Sequence, residues 1–229
     1  MPDGSTSDLA IVLLSLKVAL VATLASLPFA VAVALALARG RFWGRGLLNA
    51  AVHLPLVLPP VVTGYLLLTL FGRRGAIGAL LESTLGLVFA FRWTGAALAA
   101  AVMGFPLMVR AIRQAIEQVD PRLESAAASL GANAWWTIAT VTLPLALPGI
   151  LSGMVLAFAK SLGEFGATIT FVSNIPGETR TLALAIYSFT QTPGGDAHLW
   201  RLVWLSLGVS VAALLVSEWL AHRIDRRRR

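Results

Sequence analysis

Residues 9–38 form a run of thirty amino acids that holds a single charge, Lys17. A helix needs about 20 predominantly apolar residues to cross the hydrocarbon core of a bilayer, so this stretch alone points to a membrane-spanning chain. Composition agrees: 57% of the 229 residues are apolar, 13% are charged, and the mean hydropathy is +0.79. A soluble domain carries roughly 25% charged residues. Three more segments meet the length requirement clearly or nearly, at 47–71, 93–109 and 199–220. A fifth, 145–172, is interrupted by Lys160-Ser161-Leu162-Gly163-Glu164. Splitting it there leaves pieces too short to cross twice, so it counts as one crossing. Residues 76–91, with Glu82 near the centre, read as an interfacial helix outside the membrane. Together these segments predict an all-α polytopic membrane protein with about five transmembrane helices, in a single transmembrane domain over residues 1–229.

The formal net charge of +7 is not spread as a nucleic-acid surface would be; the arginines cluster in short stretches beside apolar segments. With five crossings and the N-terminus outside, the inner stretches hold Arg39, Arg41, Arg45, Arg110, Arg113, Arg122, Arg223 and residues 226–229. The outer stretches hold only Arg73, Arg74, Arg92 and Arg180. That bias sets the N-terminus outside and the C-terminus in the cytoplasm. The arginine run at 226–229 reads as an orientation anchor at the lipid surface. No basic residue precedes Lys17, so the first apolar segment lacks the charged region of a cleaved signal peptide and reads as retained. There is no cysteine, and His53, His198 and His222 lie far apart, so no metal site is expected. The spans hold no paired acids and no HExxH, which argues against an intramembrane enzyme. No inverted repeat of the kind found in secondary transporters is visible.

A polar island at 117–144 interrupts this pattern on the cytoplasmic side. Asp120 is a good helix N-cap, Pro121 suits the first helical position, and Gly131 is placed to end the helix. Ten residues are too few for a stable isolated helix, so the segment needs a surface to lie on. Ala126, Ala127 and Ala128 permit close approach, while Leu123 and Leu130 offer apolar knobs. Composition alone fits a docking helix and an amphipathic connector equally.

The spacing Ser125-Ala126-Ala127, three residues, Gly131, nine residues, Val141-Thr142-Leu143-Pro144 resembles the EAA loop of ABC importer permeases. That pattern reads Glu-Ala-Ala, three residues, Gly, nine residues, Ile, one residue, Leu-Pro. Ser125 and Val141 depart from it, and Glu124 stands one position early, about 100° around a helix. The resemblance implies a type I importer fold and a coupling helix seated in a groove of a separate ATPase. The coupling residues would be Glu124, Ser125, Ala126, Ala127, Gly131, Leu143 and Pro144. A P-loop needs Gly-Lys followed by Ser or Thr, yet the only lysines, Lys17 and Lys160, follow Leu16 and Ala159. The chain is therefore expected to be no enzyme and to bind no cofactor, with ATP and Mg held by the partner.

Three further stretches narrow the resemblance. They are His53-Leu54-Pro55-Leu56-Val57-Leu58-Pro59-Pro60-Val61-Val62-Thr63-Gly64-Tyr65, the segment from Ser161-Leu162-Gly163-Glu164-Phe165-Gly166-Ala167-Thr168 to Asn174-Ile175-Pro176-Gly177-Glu178-Thr179-Arg180-Thr181, and Gln191-Thr192-Pro193-Gly194-Gly195. Together they are similar to permease subunits of molybdate importers, over residues 13–218. The resemblance implies a homodimer in the cell inner membrane, an ATP-binding cassette ATPase, and a periplasmic or extracellular oxyanion-binding protein. Tungstate, sulfate or thiosulfate remain alternative cargoes, and an ion-gradient-driven transporter is the alternative class. The candidate pathway or gate comprises Lys160, Gly163, Glu164, Gly166, Thr168, His53, Pro59 and Pro60. Lys160 and Glu164 share a helix face at i and i+4 and read either as a structural ion pair or as pathway groups, since intramembrane charges face a cavity or a partner. His53 reads as a pathway group or as a polar side chain satisfied by a carbonyl that the nearby prolines free. Gly149 and Gly153 form a small-xxx-small pair of the kind found at helix and subunit contacts.

Overall fold

The computed structural model describes residues 7–226, with side chains up to 216 apart from Leu214. Asp3 and residues 227–229 of the arginine anchor lie outside the described residues. The chain is built from helices: α1 (Asp8–Arg39), α2 (Arg45–Val57), α3 (Pro60–Phe71), α4 (Ala76–Leu85), α5 (Trp93–Glu117), α6 (Pro121–Ser129), α7 (Ala134–Thr137), α8 (Leu143–Leu162), α9 (Gly166–Val172), α10 (Leu182–Thr190) and α11 (Asp196–Arg226). A π-helical turn, Ile138–Thr142, joins α7 to α8, so residues 134–162 run as one rod. It lies directly ahead of Pro144, which has no N–H for the α-helical ladder. The ladder shifts register there, and the Leu143 N–H bonds to the Ile138 carbonyl instead.

Among the described residues, α1, α5 and the α7–α8 rod are long and apolar enough to cross a membrane, and the α2–α3 pair makes a fourth if taken as one span. Two expected crossings are broken. The segment at 47–71 is not one rod: α2 and α3 meet at 114°. Pro59 and Pro60 are consecutive, so two successive N–H donors are missing and neither helix continues through them. Thirteen and twelve residues reach only about 20 and 18 Å, short of the roughly 30 Å hydrocarbon core. The segment at 145–172 likewise stops at Leu162 and resumes as α9 after Gly163, Glu164 and Phe165. In the other direction, α5 extends past residue 109 to Glu117, and α10 was not expected. The expected helix at 76–91 forms but ends at Leu85, where Gly86 takes up a left-handed conformation.

At the centre lies α5, packed against α8 on one side and α1 on the other. The contacts are close because the residues are small. Ala96, Ala97, Ala99, Ala100 and Met103 meet Val18, Ala22, Ala167 and Phe171 in one cluster; Met108, Val109, Ile112 and Ile116 meet Ala30, Ala34, Leu37, Ala146 and Ile150 in a second. A Cβ on Gly149 would stand 2.1 Å from Ala115 Cβ, and one on Gly153 would stand 3.0 Å from the Met108 carbonyl. This glycine pair therefore packs α8 on α5 within the chain. The hydroxyls within α1 are satisfied locally: Ser15, Thr23 and Ser26 donate to the carbonyls of Ile11, Ala19 and Ala22 at 2.9, 2.8 and 2.7 Å, as an apolar surround requires. Far from α6, Ser15 also accepts from Leu182 N–H at 2.7 Å, and Asp8 pairs with Arg201, tying α1 to α10 and α11.

Packing of α3 on α9 brings a glycine directly against backbone. A Cβ on Gly64 would lie 2.5 Å from the Ala167 carbonyl and 2.9 Å from Thr170 Cβ. Gly64→Val is expected to destabilise the protein by about 1–3 kcal/mol, measured as thermal unfolding in detergent. Gly208→Val, where a Cβ meets nothing within 4 Å, is the matched control and should cost less.

Candidate functional site

The polar island folds as its local sequence requires. Asp120 Oδ1 accepts the Arg122 N–H at 2.9 Å, and Pro121 occupies the first turn of α6. At the other end Gly131 has φ 89°, its N–H bonds to the Ala128 carbonyl at 3.0 Å, and the Ala132 N–H reaches the Ala127 carbonyl at 3.1 Å. That pair of bonds is the Schellman termination, which needs a residue tolerant of positive φ. No residue of α6 is buried. Ser125, Ala126, Ala128, Ser129 and Leu130 face solvent, and Leu130 is 89% exposed.

Glu124 behaves differently from its neighbours and is turned toward its own chain. Its Oε1 accepts from Arg39 Nε at 3.2 Å, lies 3.1 Å from the same guanidinium's NH2, and accepts from the buried Thr142 hydroxyl at 2.8 Å. Arg39 also donates to the carbonyls of Ile116 and Val119 at 3.0 and 2.9 Å. These carbonyls lie at and just beyond the end of α5, where the helix runs out of N–H donors. One guanidinium thus joins the C-terminus of α1, the C-terminus of α5 and the first turn of α6, and Glu124 carries the tie on to the π turn. A second tie lies close by: Arg113 donates to Asn49 Oδ1 at 3.1 Å and to Glu117 at 2.8 Å, joining α2 to α5. Leu143 packs into the core, and Pro144 sets the π turn, so both shape the island from behind.

Beside α6 lies a cup of about 410 Å³ lined by Ala127, Leu130, Gly131, Ala132, Asn133, Trp136 and Thr140. Trp135 and Trp136 are 80% and 64% exposed. They were not singled out from the sequence, although Asn133 caps their helix by accepting the Trp136 N–H at 2.8 Å. Two bulky aromatics directly after a cap, at the foot of an apolar span, were the available signal.

The candidate gate gathers at the α8–α9 break. Lys160 Nζ contacts Glu164 Oε2 at 2.5 Å, while Glu164 Oε1 accepts the Ala167 N–H at 3.0 Å. The Glu164 side chain is 2% exposed with both oxygens engaged. It therefore bridges the break, holding the end of α8 to the start of α9. Gly166 abuts the bend in the other broken element, since a Cβ there would lie 2.7 Å from Pro60 Cβ. Thr168 is buried on α9. Gly163 faces open space and simply ends α8. His53 sits apart, on α2 beyond the bend. Its Nδ1 donates to the Asn49 carbonyl at 2.8 Å, not to the carbonyls of Ala51, Pro55 or Leu56 that the three prolines leave without donors. Ordinary helical spacing puts the Asn49 carbonyl within reach. Among the described residues no cluster of His, Cys, Asp or Glu could hold a metal ion.

Comparison with known proteins places this geometry in context. The sequence profile of the family "Binding-protein-dependent transport system inner membrane component" matches residues 26–229. The chain is 61% identical over 217 residues to the molybdenum transport system permease protein ModB of Escherichia coli (strain K12), covering 95% of this chain and 94% of that one. It is 56% identical over 214 residues to the protein of the same name from Haemophilus influenzae (strain ATCC 51907 / DSM 11121 / KW20 / Rd), covering 93% of each. Its fold is similar to that of a chain in a bacterial ABC transporter involved in the import of the acidic polysaccharide alginate, with TM-score 0.72 and 18% identity over 97% of this chain and 80% of that one.

Two substitution sets test this geometry. Arg39→Gln and Glu124→Gln should each destabilise the protein, and together by less than their sum, with a coupling on the order of 0.5–3 kcal/mol in a double-mutant cycle. Additive effects would mean that the two side chains act separately. Lys160→Met leaves the buried Glu164 carboxylate without its counter-charge and should cost more stability than Lys160→Met with Glu164→Gln, compared by thermal unfolding.

Proposed function

Because this chain belongs to the family of binding-protein-dependent transport system inner membrane components, we propose that it is the membrane-spanning permease subunit of an ATP-driven molybdate importer in the cell inner membrane. Two supports carry this reading. The cargo rests on identity of 61% along nearly the whole chain to a molybdenum transport permease. The drive rests on the geometry of α6, which is exposed along its length and fixed at its base to the bundle. A capped helix of nine residues that buries nothing of its own is suited to sit in another protein's groove.

In this reading two copies enclose the pathway, a separate ATPase holds ATP and Mg, and an external binding protein delivers the oxyanion. The N-terminus faces outward and the α6 loop lies in the cytoplasm. Closure of the ATPase pair on ATP moves α6, and the Arg39 clamp passes that motion to α1 and α5. The bundle then rocks between inward-open and outward-open states, as rigid bodies turning about interfaces do. The broken elements α2–α3 and α8–α9 meet at Pro60 and Gly166, where the chain has irregular backbone at membrane depth, tolerated only beside protein or a water-filled cavity. That junction is the gate. Glu164 is paired and spent on structure, so it offers the dianion no strong repulsion and no site. Cargo passes without being held tightly. The chain makes and breaks no covalent bond.

Reconstitution of the permease with its ATPase and binding protein in liposomes tests the proposal through ATP-dependent molybdate uptake. Gly131→Asp, which forces a side chain onto a backbone at φ 89°, and Ala127→Arg, which fills the cup, should leave the permease in the membrane and lower uptake at least tenfold. Unchanged uptake with both would remove the coupling role of α6. A binding protein that prefers sulfate over molybdate on titration would overturn the cargo and leave the class intact.

A further inference from the structure

An open groove of about 570 Å³ runs between α1, α2 and α5. Phe29 and Val33 of α1, Leu48 and Pro55 of α2, and Leu98 and Phe105 of α5 form its walls. Ser26 brings the one hydroxyl to the lining, and it is already engaged, donating to the Ala22 carbonyl at 2.7 Å. The groove therefore offers no free side-chain donor or acceptor and suits an apolar occupant. The chain itself does not fill it: in α2 only Val52 is buried. Residues 98–105 of α5 give the groove a length of about 10 Å. A helix with its side chains is about 10 Å across and needs roughly 800 Å³ over that length. The groove takes a single extended chain instead.

Three residues before Leu48, the joint from α1 to α2 reads Arg41-Phe42-Trp43-Gly44-Arg45. It stands at the end of the bundle that carries α6, since Arg39, two residues earlier, is bonded to Glu124. Gly44 turns the chain at φ 93°, Trp43 stands fully exposed, and Phe42 is 45% exposed. Among the described residues, neither the Arg41 nor the Arg45 side chain has a hydrogen-bond or ion-pair partner. The neighbouring acids are engaged elsewhere. Glu124 is held by Arg39 and Glu117 by Arg113, which also reaches Asn49 beside Leu48.

We propose that the groove and its basic mouth form a site for one anionic phospholipid, a proposal that rests on the membrane orientation of the importer reading. Arg41 and Arg45 take the phosphate, Phe42 and Trp43 lie at headgroup level, and an acyl chain fills the groove. Guanidinium groups match phosphate oxygens in pairs, and aromatic rings such as Trp43 settle at the membrane–water boundary. In that orientation the joint meets the cytoplasmic leaflet, where basic pockets between spanning helices select anionic headgroups. Bulk lipid wets an apolar groove without preference; two unpaired arginines at its mouth make this one selective. The bound lipid fastens α2 to α1 and α5 beside the Arg39 clamp.

The test titrates the full-length permease in detergent with phosphatidylglycerol, phosphatidylcholine or inorganic phosphate, counting bound lipid by native mass spectrometry and following thermal unfolding. One phosphatidylglycerol per chain should bind, half-saturating at a concentration at least tenfold below that of phosphatidylcholine. It should raise Tm, and inorganic phosphate should not. Arg41→Gln with Arg45→Gln should erase the preference, while Ala101→Leu, which narrows the groove, should weaken lipid binding with both arginines in place. Equal binding of the two lipids, a preference that survives loss of both arginines, or equal protection by inorganic phosphate would overturn the site. Because the chain has no native cysteine, Ala51→Cys in the groove wall should stay unpaired in oxidised membranes. A disulfide to a second permease copy would show protein covering the groove and would overturn the lipid as occupant. Absence of molybdate uptake by the unaltered complex is a separate result, which overturns the cargo reading and leaves the lipid titration standing.

Discussion

The end of the bundle that carries α6 depends on one guanidinium. Arg39 closes α1, satisfies two carbonyls at the end of α5, and meets Glu124 in the first turn of α6. Hydrogen bonds that involve a charged group contribute about 1.5–3 kcal/mol each, and leaving one partner unpaired costs more than the pair yields. Helix α6 has no buried residue and nine residues in all, below the length at which a helix stands alone in water. Its orientation is set at the base, through Glu124 and Thr142, while its outer face stays free. A rigid mount beneath an open face is what lets a force applied from outside reach the bundle.

In the apolar elements the governing constraint is backbone satisfaction. Two of them break, and close packing surrounds the breaks. The missing donors of Pro59 and Pro60 turn the chain by 114°, and Gly64 and Gly166 let α3 and α9 come into backbone contact beside the turn. The second break is bridged by Glu164, which receives Lys160 on one oxygen and the Ala167 N–H on the other. Charges that would be costly in lipid are here the fastening between α8 and the short α9.

Much of this was legible in the sequence where the cause is local. Apolar length gave α1 and α5, and the Asp120, Pro121 and Gly131 positions gave α6 with its caps almost to the residue. The i, i+4 spacing gave the Lys160–Glu164 pair. The EAA-like register also flagged Glu124 as out of place. What remained hidden has its cause elsewhere in the chain. The partner of Glu124 lies 85 residues away, and no local pattern links Arg39 to it. Gly149 and Gly153 carry the same signature whether they pack within a chain or between chains, and only the nearness of Ala115 and Met108 decides. Pro55, Pro59 and Pro60 read as freeing carbonyls within one crossing, and the 114° break between α2 and α3 was not expected from them. Helix α10 is short and follows an irregular loop, so its apolar residues had no periodicity long enough to read.

In the proposed importer the clamp is expected to make α6 and the end of α5 one rigid body during the transport cycle. Spin labels on a single protomer at Ser129→Cys in α6 and Arg110→Cys in α5, both exposed positions, measure this by pulsed dipolar spectroscopy. Labelled copies are diluted with unlabelled ones in the complete complex. The distance between them should be the same, with the same narrow spread, in the nucleotide-free and ATP-bound states. A shift approaching one helical turn, about 5.4 Å, would show α6 moving against the bundle and would contradict the account.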